Sequence, residues 1–122
     1  MSPVVPHFEL SEEDAGGGAH VICVRGEIHV TTAPRFAEHL TGAIESGKTA
    51  IVLDMTGVEF IDSTGLSVLL NGLRSVGQRR GRLALVCTNP TVLRLFQITN
   101  LDSTFDIFDD RPKAIAHVTR SE

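Results

Sequence analysis

Cysteine is scarce: Cys23 and Cys87 are the only two in 122 residues, and each lies inside an apolar run, "VICV" and "LALVC". Thiols so placed read as buried and free, which excludes a disulfide framework or a cysteine-based zinc site. Long apolar runs are also missing. None approaches the ~20 residues that a membrane-spanning helix needs. The opening "MSPVVPHFEL" has neither a basic start nor a long apolar stretch, so it does not read as a signal peptide. A cytosolic, non-membrane protein is expected. Positive charge is in the minority, with 11 Lys and Arg against 15 Asp and Glu and a formal net charge of -4. Direct nucleic-acid binding, which relies on a basic surface, is thereby disfavoured. The one basic cluster, Arg74, Arg79, Arg80 and Arg82, falls where a helix should end, and cations favour that end of a helix. The five histidines, His7, His20, His29, His39 and His117, show no metal-ligand spacing. No metal or cofactor is expected.

What the chain does have is an alternation of strand and helix patterns. "HFEL" and "HVICVRGEI" read as two strands joined by "SEEDAGGGA", a polar, glycine-rich linker with a flexible tip. "TTAPRFAEHLTGAIESG" reads as a helix. Thr32 can cap it, Pro34 suits its first turn, and Gly47 ends it, with Phe36, Leu40, Ala43 and Ile44 on one face. "AIVLDM" reads as a central strand covered on both faces. In the next helix Leu66, Leu69, Leu70, Leu73 and Val76 recur at helical spacing. "RLALVC" is a further buried strand, and "TNPTVLRLFQI" a helix capped by Thr88 or Asn89. "TFDIF" reads as a short edge strand and "DDRPKAIAHVTR" as a closing helix. The order β-β-α-β-α-β-α-β-α implies an α/β domain with a mostly parallel sheet. One domain is expected over residues 1–122, with its core at about 7–120.

Three motifs invite an enzymatic reading, and each fails on context. Gly42, Gly47, Lys48 and Thr49 in "GAIESGKT" match the phosphate-binding loop, with "IVLD" ending at Asp54 as its acidic strand. That loop must follow a strand and open a helix, so that the helix N-terminus faces the phosphates. Here a helix precedes Lys48 and a strand follows it. Ser63 in "FIDSTGL" is no nucleophile elbow, since Ile61 stands where that motif needs glycine, and sequence brings no histidine to it. "DSTG" matches one aspartic-protease loop, but that chemistry needs two in an all-β architecture. A strand-to-helix turn with Ser or Thr as the cap accounts for "DSTG" without catalysis. A serine in that position is exposed, and a phosphate on it would face backbone N–H groups and the positive end of the helix dipole. Ser63 thus reads as a residue acted upon.

Nearly the whole chain resembles a STAS domain of the anti-sigma factor antagonist type. The resemblance rests on the Gly26-Glu27-Ile28 turn, "IVLDMTGVEFIDSTGL", and "GRLALVCTNPTVLRLFQITNLDSTFDIF" with its P-x-V-x-x-x-F element. It implies a single domain with a mixed, mostly parallel sheet of about five strands and about four helices. It also implies a bacterial, cytoplasmic regulator of stress response or sporulation, not an enzyme. In such proteins the serine after the aspartate, here Ser63, is phosphorylated by a partner that is both a serine kinase and an anti-sigma factor. Thr64 is a lesser acceptor. The unmodified antagonist binds the kinase and frees the sigma factor. The phosphorylated form is released until a phosphatase restores it. The partner-facing residues are then Asp62, Ser63, Thr64, Gly65, Ser67 and His29. Two of these depart from the family pattern: His29 stands where an acidic residue is common, and Ser67 where glycine is. The alternative is a STAS scaffold or regulatory module in another signalling or transporter assembly, without a sigma factor target.

Overall fold

Both faces of the central strands are apolar, so the sheet must be covered on both sides. The computed structural model describes residues 7–120. It contains β1 (Phe8–Gly16), β2 (Ala19–Ile28), α1 (Ala33–Glu45), β3 (Ala50–Ile61), α2 (Ser63–Gln78), β4 (Arg82–Val86), α3 (Pro90–Ile98), β5 (Asp106–Phe108) and α4 (Arg111–Val118). A 3-10 turn, Leu101–Ser103, links α3 to β5. The sheet order is β1-β2-β3-β4-β5. β1 runs antiparallel to β2, and every other pair is parallel. The mixed five-stranded sheet with four helices matches the order read from the sequence.

Alternate strand residues feed two cores, as a pleated sheet requires. Ile22, Val24, Ile51, Leu53, Leu83 and Leu85 pack with Phe36 and Leu40 of α1, Leu66 and Leu69 of α2, and Phe96 of α3. Val21, Val52, Ala84 and Val86 face the other way, onto Ala114 and Val118 of α4. α4 covers that face with only eight residues. Cys87 is buried as expected, but Cys23 is only half-buried.

Two strands run further than their apolar patterns. β1 continues through Glu12 and Glu13 to Gly16, where a flexible linker was expected. Charged contacts hold the extension: Glu12 bonds His20 Nε2 at 2.6 Å and His39 Nδ1 at 2.5 Å, and Glu13 pairs with Arg111. β3 continues past "AIVLDM" to Ile61, with irregular pairing to β2 beyond Asp54.

The helix ends explain two other motifs. Gly47 N–H donates to Ile44 O and Lys48 N–H to Ala43 O, both at 3.1 Å, with Gly47 at φ 104°. This double closure ends α1 and needs a left-handed residue. Lys48 is therefore a turn residue after a helix, and "GAIESGKT" has no helix N-terminus to offer a phosphate. α2 ends the same way, with Gly81 N–H on Val76 O at 2.8 Å, but there Arg80 takes the left-handed position at φ 58°. Arg79 donates to Ile44 O at 2.8 Å and Arg82 to His117 O at 3.1 Å. These two arginines thus have structural roles. The left-handed conformation penalises a side chain at Arg80, so Arg80→Gly should stabilise the domain by about 0.5–1 kcal/mol after the added chain entropy of glycine. A thermal melt that moves down would contradict this account of the α2 terminus.

Candidate functional site

β2 and β3 are parallel, so their C-terminal ends lie together. Ile28 pairs with Ile61, and Asp62 N–H donates to Ile28 O at 3.1 Å. The loop after β2, carrying His29, therefore meets the start of α2, carrying Ser63. The six candidate residues fall at this one end of the sheet.

Asp62, not Ser63 or Thr64, caps α2. Its backbone is extended (φ -106°, ψ -173°), and its Oδ1 accepts from Thr64 N–H at 2.9 Å and Gly65 N–H at 3.1 Å. Any of the three side chains could cap by type, but only the residue with non-helical backbone can reach back to those groups. A carboxylate there also meets the positive helix end. Ser63 is consequently the first helical residue. It is exposed, and its hydroxyl bonds no described residue. Thr64 is half-buried, and Ser67 Oγ is occupied, donating to Ser63 O at 3.0 Å. Gly65 is buried, and a Cβ on it would lie 2.6 Å from Ile61 Cγ1 and 2.8 Å from Ile28 Cγ2. Only glycine lets the first turn of α2 sit this close to the strand ends. Removing the cap with Asp62→Ala should lower stability by about 1 kcal/mol, whereas Asp62→Asn should lose less, since its amide oxygen still caps. Equal losses in urea unfolding would show that the cap bonds are not what Asp62 contributes.

His29 lies in the β2–α1 loop, half-buried. Thr31 N–H donates to its Nδ1 at 3.3 Å, and Thr31 Oγ1 lies 2.9 Å from the same atom. Nδ1 is thus an acceptor. The His29 ring is 6.5 Å from that of Phe60. Thr32, expected to cap α1, makes no side-chain cap; its hydroxyl donates to Glu27 O at 2.7 Å and pins the loop instead.

No catalytic set forms around Ser63 among the described residues. His20 and His39 bond Glu12, His117 bonds Asp106 at 3.0 Å, and His7 lies 3.4 Å from Glu9. Burial pushes the Cys87 thiol up, against a smaller opposing effect of the Asn89 N–H, so it is no ready thiolate. Among the described residues, no group of His, Cys, Asp and Glu is arranged to hold a metal, and no helix is long and apolar enough to cross a membrane.

Asp54, the carboxylate of the rejected phosphate-loop reading, has a structural partner. Arg111 donates to Asp54 Oδ2 through Nε at 3.0 Å and Nη2 at 2.7 Å. Burial alone would push the Asp54 carboxyl up. The Thr56 N–H and hydroxyl and the Arg111 guanidinium outweigh it and hold the group below the usual carboxylate range.

The residues not anticipated from sequence are apolar. Val30, Phe60 and Ile98 are 68%, 46% and 66% exposed. Phe60 and Ile98 line an open groove between the end of β3 and α3, beside the Ser63 turn. Their signal in the sequence was negative: each is an apolar residue that the periodic core pattern does not use.

The STAS domain family matches residues 14–114. An anti-sigma-B factor antagonist of Listeria monocytogenes is 38% identical over 103 residues, covering 82% of this chain and 86% of its own. The crystal structure of an anti-sigma factor antagonist from Mycobacterium paratuberculosis is 29% identical with a TM-score of 0.86, covering 93% of this chain and 96% of the other. The anti-sigma factor antagonist SpoIIAA, solved in unphosphorylated and phosphorylated forms, shares the fold at 24% identity, with TM-scores of 0.72 and 0.70. Each form covers 90% of this chain, which covers 97% and 99% of the two. On its sequence, its sheet order and these likenesses, the chain is a STAS domain and belongs to the anti-sigma factor antagonist family.

Proposed function

We propose that this chain is a binding protein that antagonises an anti-sigma factor, and that phosphorylation of Ser63 by that partner switches it off. The observation that carries the reading is the state of Ser63. It is the first residue of α2, exposed, with a hydroxyl that bonds no described residue, on a turn fixed by the Asp62 cap and by the close seat of Gly65. A kinase can take such a hydroxyl without unfolding anything. The names of the relatives support an anti-sigma factor as the partner. His29, Asp62, Thr64, Gly65 and Ser67 would frame the contact, since the fold gathers them at the same end of the sheet.

The Asp62 cap sets how a phosphate would sit. Two of the N–H groups that could receive it, those of Thr64 and Gly65, are already held by Asp62. The phosphate would therefore point to solvent, or displace the Asp62 carboxylate from the cap. Either way the charge lies on the surface that meets the partner, and the core is untouched.

The test is incubation with ATP and the kinase trapped from native lysate by the Ser63→Ala chain. One phosphate should appear, mapped by mass spectrometry to Ser63, and Ser63→Ala should abolish it. Modification that persists in that variant, at Thr64 or elsewhere, would sink the assignment. Trapping of assembly proteins with no kinase among them would favour a scaffold role instead.

A further inference from the structure

We propose that the end of the sheet opposite Ser63, where Lys48, Arg80 and Arg120 come together, is a docking surface for an acidic segment of a partner protein. This surface does not include Ser63 and is independent of what happens there.

The fold builds this end from turns that meet. β3 and β4 start there, with Ala50 paired to Arg82. Arg82 N–H donates to Thr49 O at 2.7 Å, so the α2–β4 turn carrying Arg80 lies against the α1–β3 turn carrying Lys48. The Arg82 guanidinium donates to His117 O at 3.1 Å, which brings the end of α4, and Arg120 after it, to the same place. Ser63 follows the other end of β3, whose 12 residues put roughly 35 Å between the two ends at about 3.3 Å per residue.

First, the positive charge here is uncompensated. Lys48, Arg80 and Arg120 are exposed, and their side chains make no hydrogen bond or ion pair with any described residue. Arg79 bonds a carbonyl, Ile44 O, which leaves its charge in place. Elsewhere Arg111 and Lys113 are paired with carboxylates. Unpaired cations gathered at one end of a chain of net charge -4 make a local positive field that draws an anionic partner. Second, Arg80 is held in a conformation that a side chain disfavours. Helix ends favour cations, which accounts for positive charge near the ends of α1, α2 and α4. It does not account for a cation in the left-handed position itself. α1 fills that position with Gly47 at φ 104°, and α2 fills it with Arg80 at φ 58°. Local strain of this kind is kept at sites that bind. Third, the extent of the surface selects its occupant. Glu45 is exposed in the last turn of α1, and Asp14 lies in the β1–β2 hairpin, whose tip reaches α4: a Cβ on Gly17 would be 3.8 Å from Thr119 Cγ2. A nucleic-acid duplex or a lipid surface would carry its negative charge past the cations onto those carboxylates, whereas a short acidic segment ends within them. Guanidinium groups also take carboxylates in a two-pronged geometry that fixes such a segment in place. With Ser63 at the far end, this partner and the kinase can hold the chain at the same time.

The experiment is a fluorescence-anisotropy titration of a labelled poly-glutamate peptide with the full chain at low salt. The parent should bind the peptide saturably. Arg80→Glu should weaken binding at least about tenfold, and Arg94→Glu, which changes the net charge equally at an exposed position on α3, should stay within about twofold of the parent. Arg80→Gly, expected to raise the melting temperature, should nevertheless bind the peptide more weakly, which separates lost charge from lost fold. Equal losses in Arg80→Glu and Arg94→Glu would mean that net charge alone matters and would overturn the proposal. It is also overturned if Arg80→Gly binds as tightly as the parent, or if the peptide does not saturate. Duplex DNA or phosphatidylserine vesicles saturating at lower concentration than the peptide would give the surface to another class of partner and exclude the one proposed.

Discussion

Replacing Arg111 with alanine should destabilise the domain by about 2–3 kcal/mol, less than the ~3–5 kcal/mol of a fully buried pair because the arginine is partly exposed. Arg111 stands at the start of α4 and bonds Asp54 on β3 and Glu13 on β1. Those three elements are far apart in sequence, so one guanidinium ties the rear face of the sheet together. The Asp54 side chain is only 8% exposed. Without Arg111 it is left as a buried carboxylate held by Thr56 alone, through N–H at 3.1 Å and Oγ1 at 2.8 Å. Asp54→Asn in the Arg111→Ala background should recover part of the loss, because it removes the stranded charge. The melting temperature of Arg111→Ala should fall by roughly 10 °C, given the few degrees per kcal/mol of a domain this size. pH gives a second check. The carboxyl of Asp54 is depressed in the folded state, so its contribution is present above the unfolded pKa near 4 and is lost as pH falls through the folded value. The gap between parent and Arg111→Ala should therefore narrow as pH is lowered from neutrality to below the unfolded value near 4. A gap that stays constant across that range would mean that Arg111 acts by packing rather than by charge.

A phosphate on Ser63 should weaken binding of the kinase a hundredfold or more while barely changing stability. The group adds about -1.5 to -2 charge and three acceptor oxygens. In the free chain it faces water, beside the Asp62 carboxylate. Its largest local effect is to contest the N–H groups of Thr64 and Gly65, worth at most the roughly 1 kcal/mol of a cap. Under a bound partner the same group loses water, enlarges a fitted side chain and stands next to an existing negative charge. A partly unpaired charge at an interface costs several kcal/mol, and a hundredfold loss needs only about 2.7. Ser63→Asp should imitate this in part, since it adds one charge and fewer oxygens. It would also follow Asp62 directly, doubling the acid at the helix start, where the dipole tolerates it.

The elements and their order were legible because each buried strand and amphipathic helix carries its own apolar period. Leu66, Leu69 and Val76, for instance, line one face of α2 and are buried as their spacing implies. The ends of elements were less legible, for reasons visible in single residues. β1 runs through "SEEDAG" because Glu12 and Glu13 find partners on β2, α1 and α4, and no local pattern announces a histidine 27 residues away. In "DSTG" three consecutive residues can cap a helix, and the choice of Asp62 is made by backbone angles that the side-chain types do not fix. Thr32 has the right type and position for a cap but bonds Glu27 O instead, because the loop turns back on β2. The placement of His29 beside the Ser63 turn was expected only from the family resemblance, and parallel pairing of Ile28 with Ile61 is its physical cause. The groove was not legible at all, since it exists only where α3 meets the end of β3.

The most direct test of the central claim is a titration of the trapped kinase with two preparations of this chain, one unmodified and one fully phosphorylated at Ser63, with a thermal melt of each. The account predicts a dissociation constant at least a hundredfold larger for the phosphorylated chain and melting temperatures within about 5 °C of each other. Equal affinities, or a phosphorylated chain that binds weakly because it has largely unfolded, would contradict it.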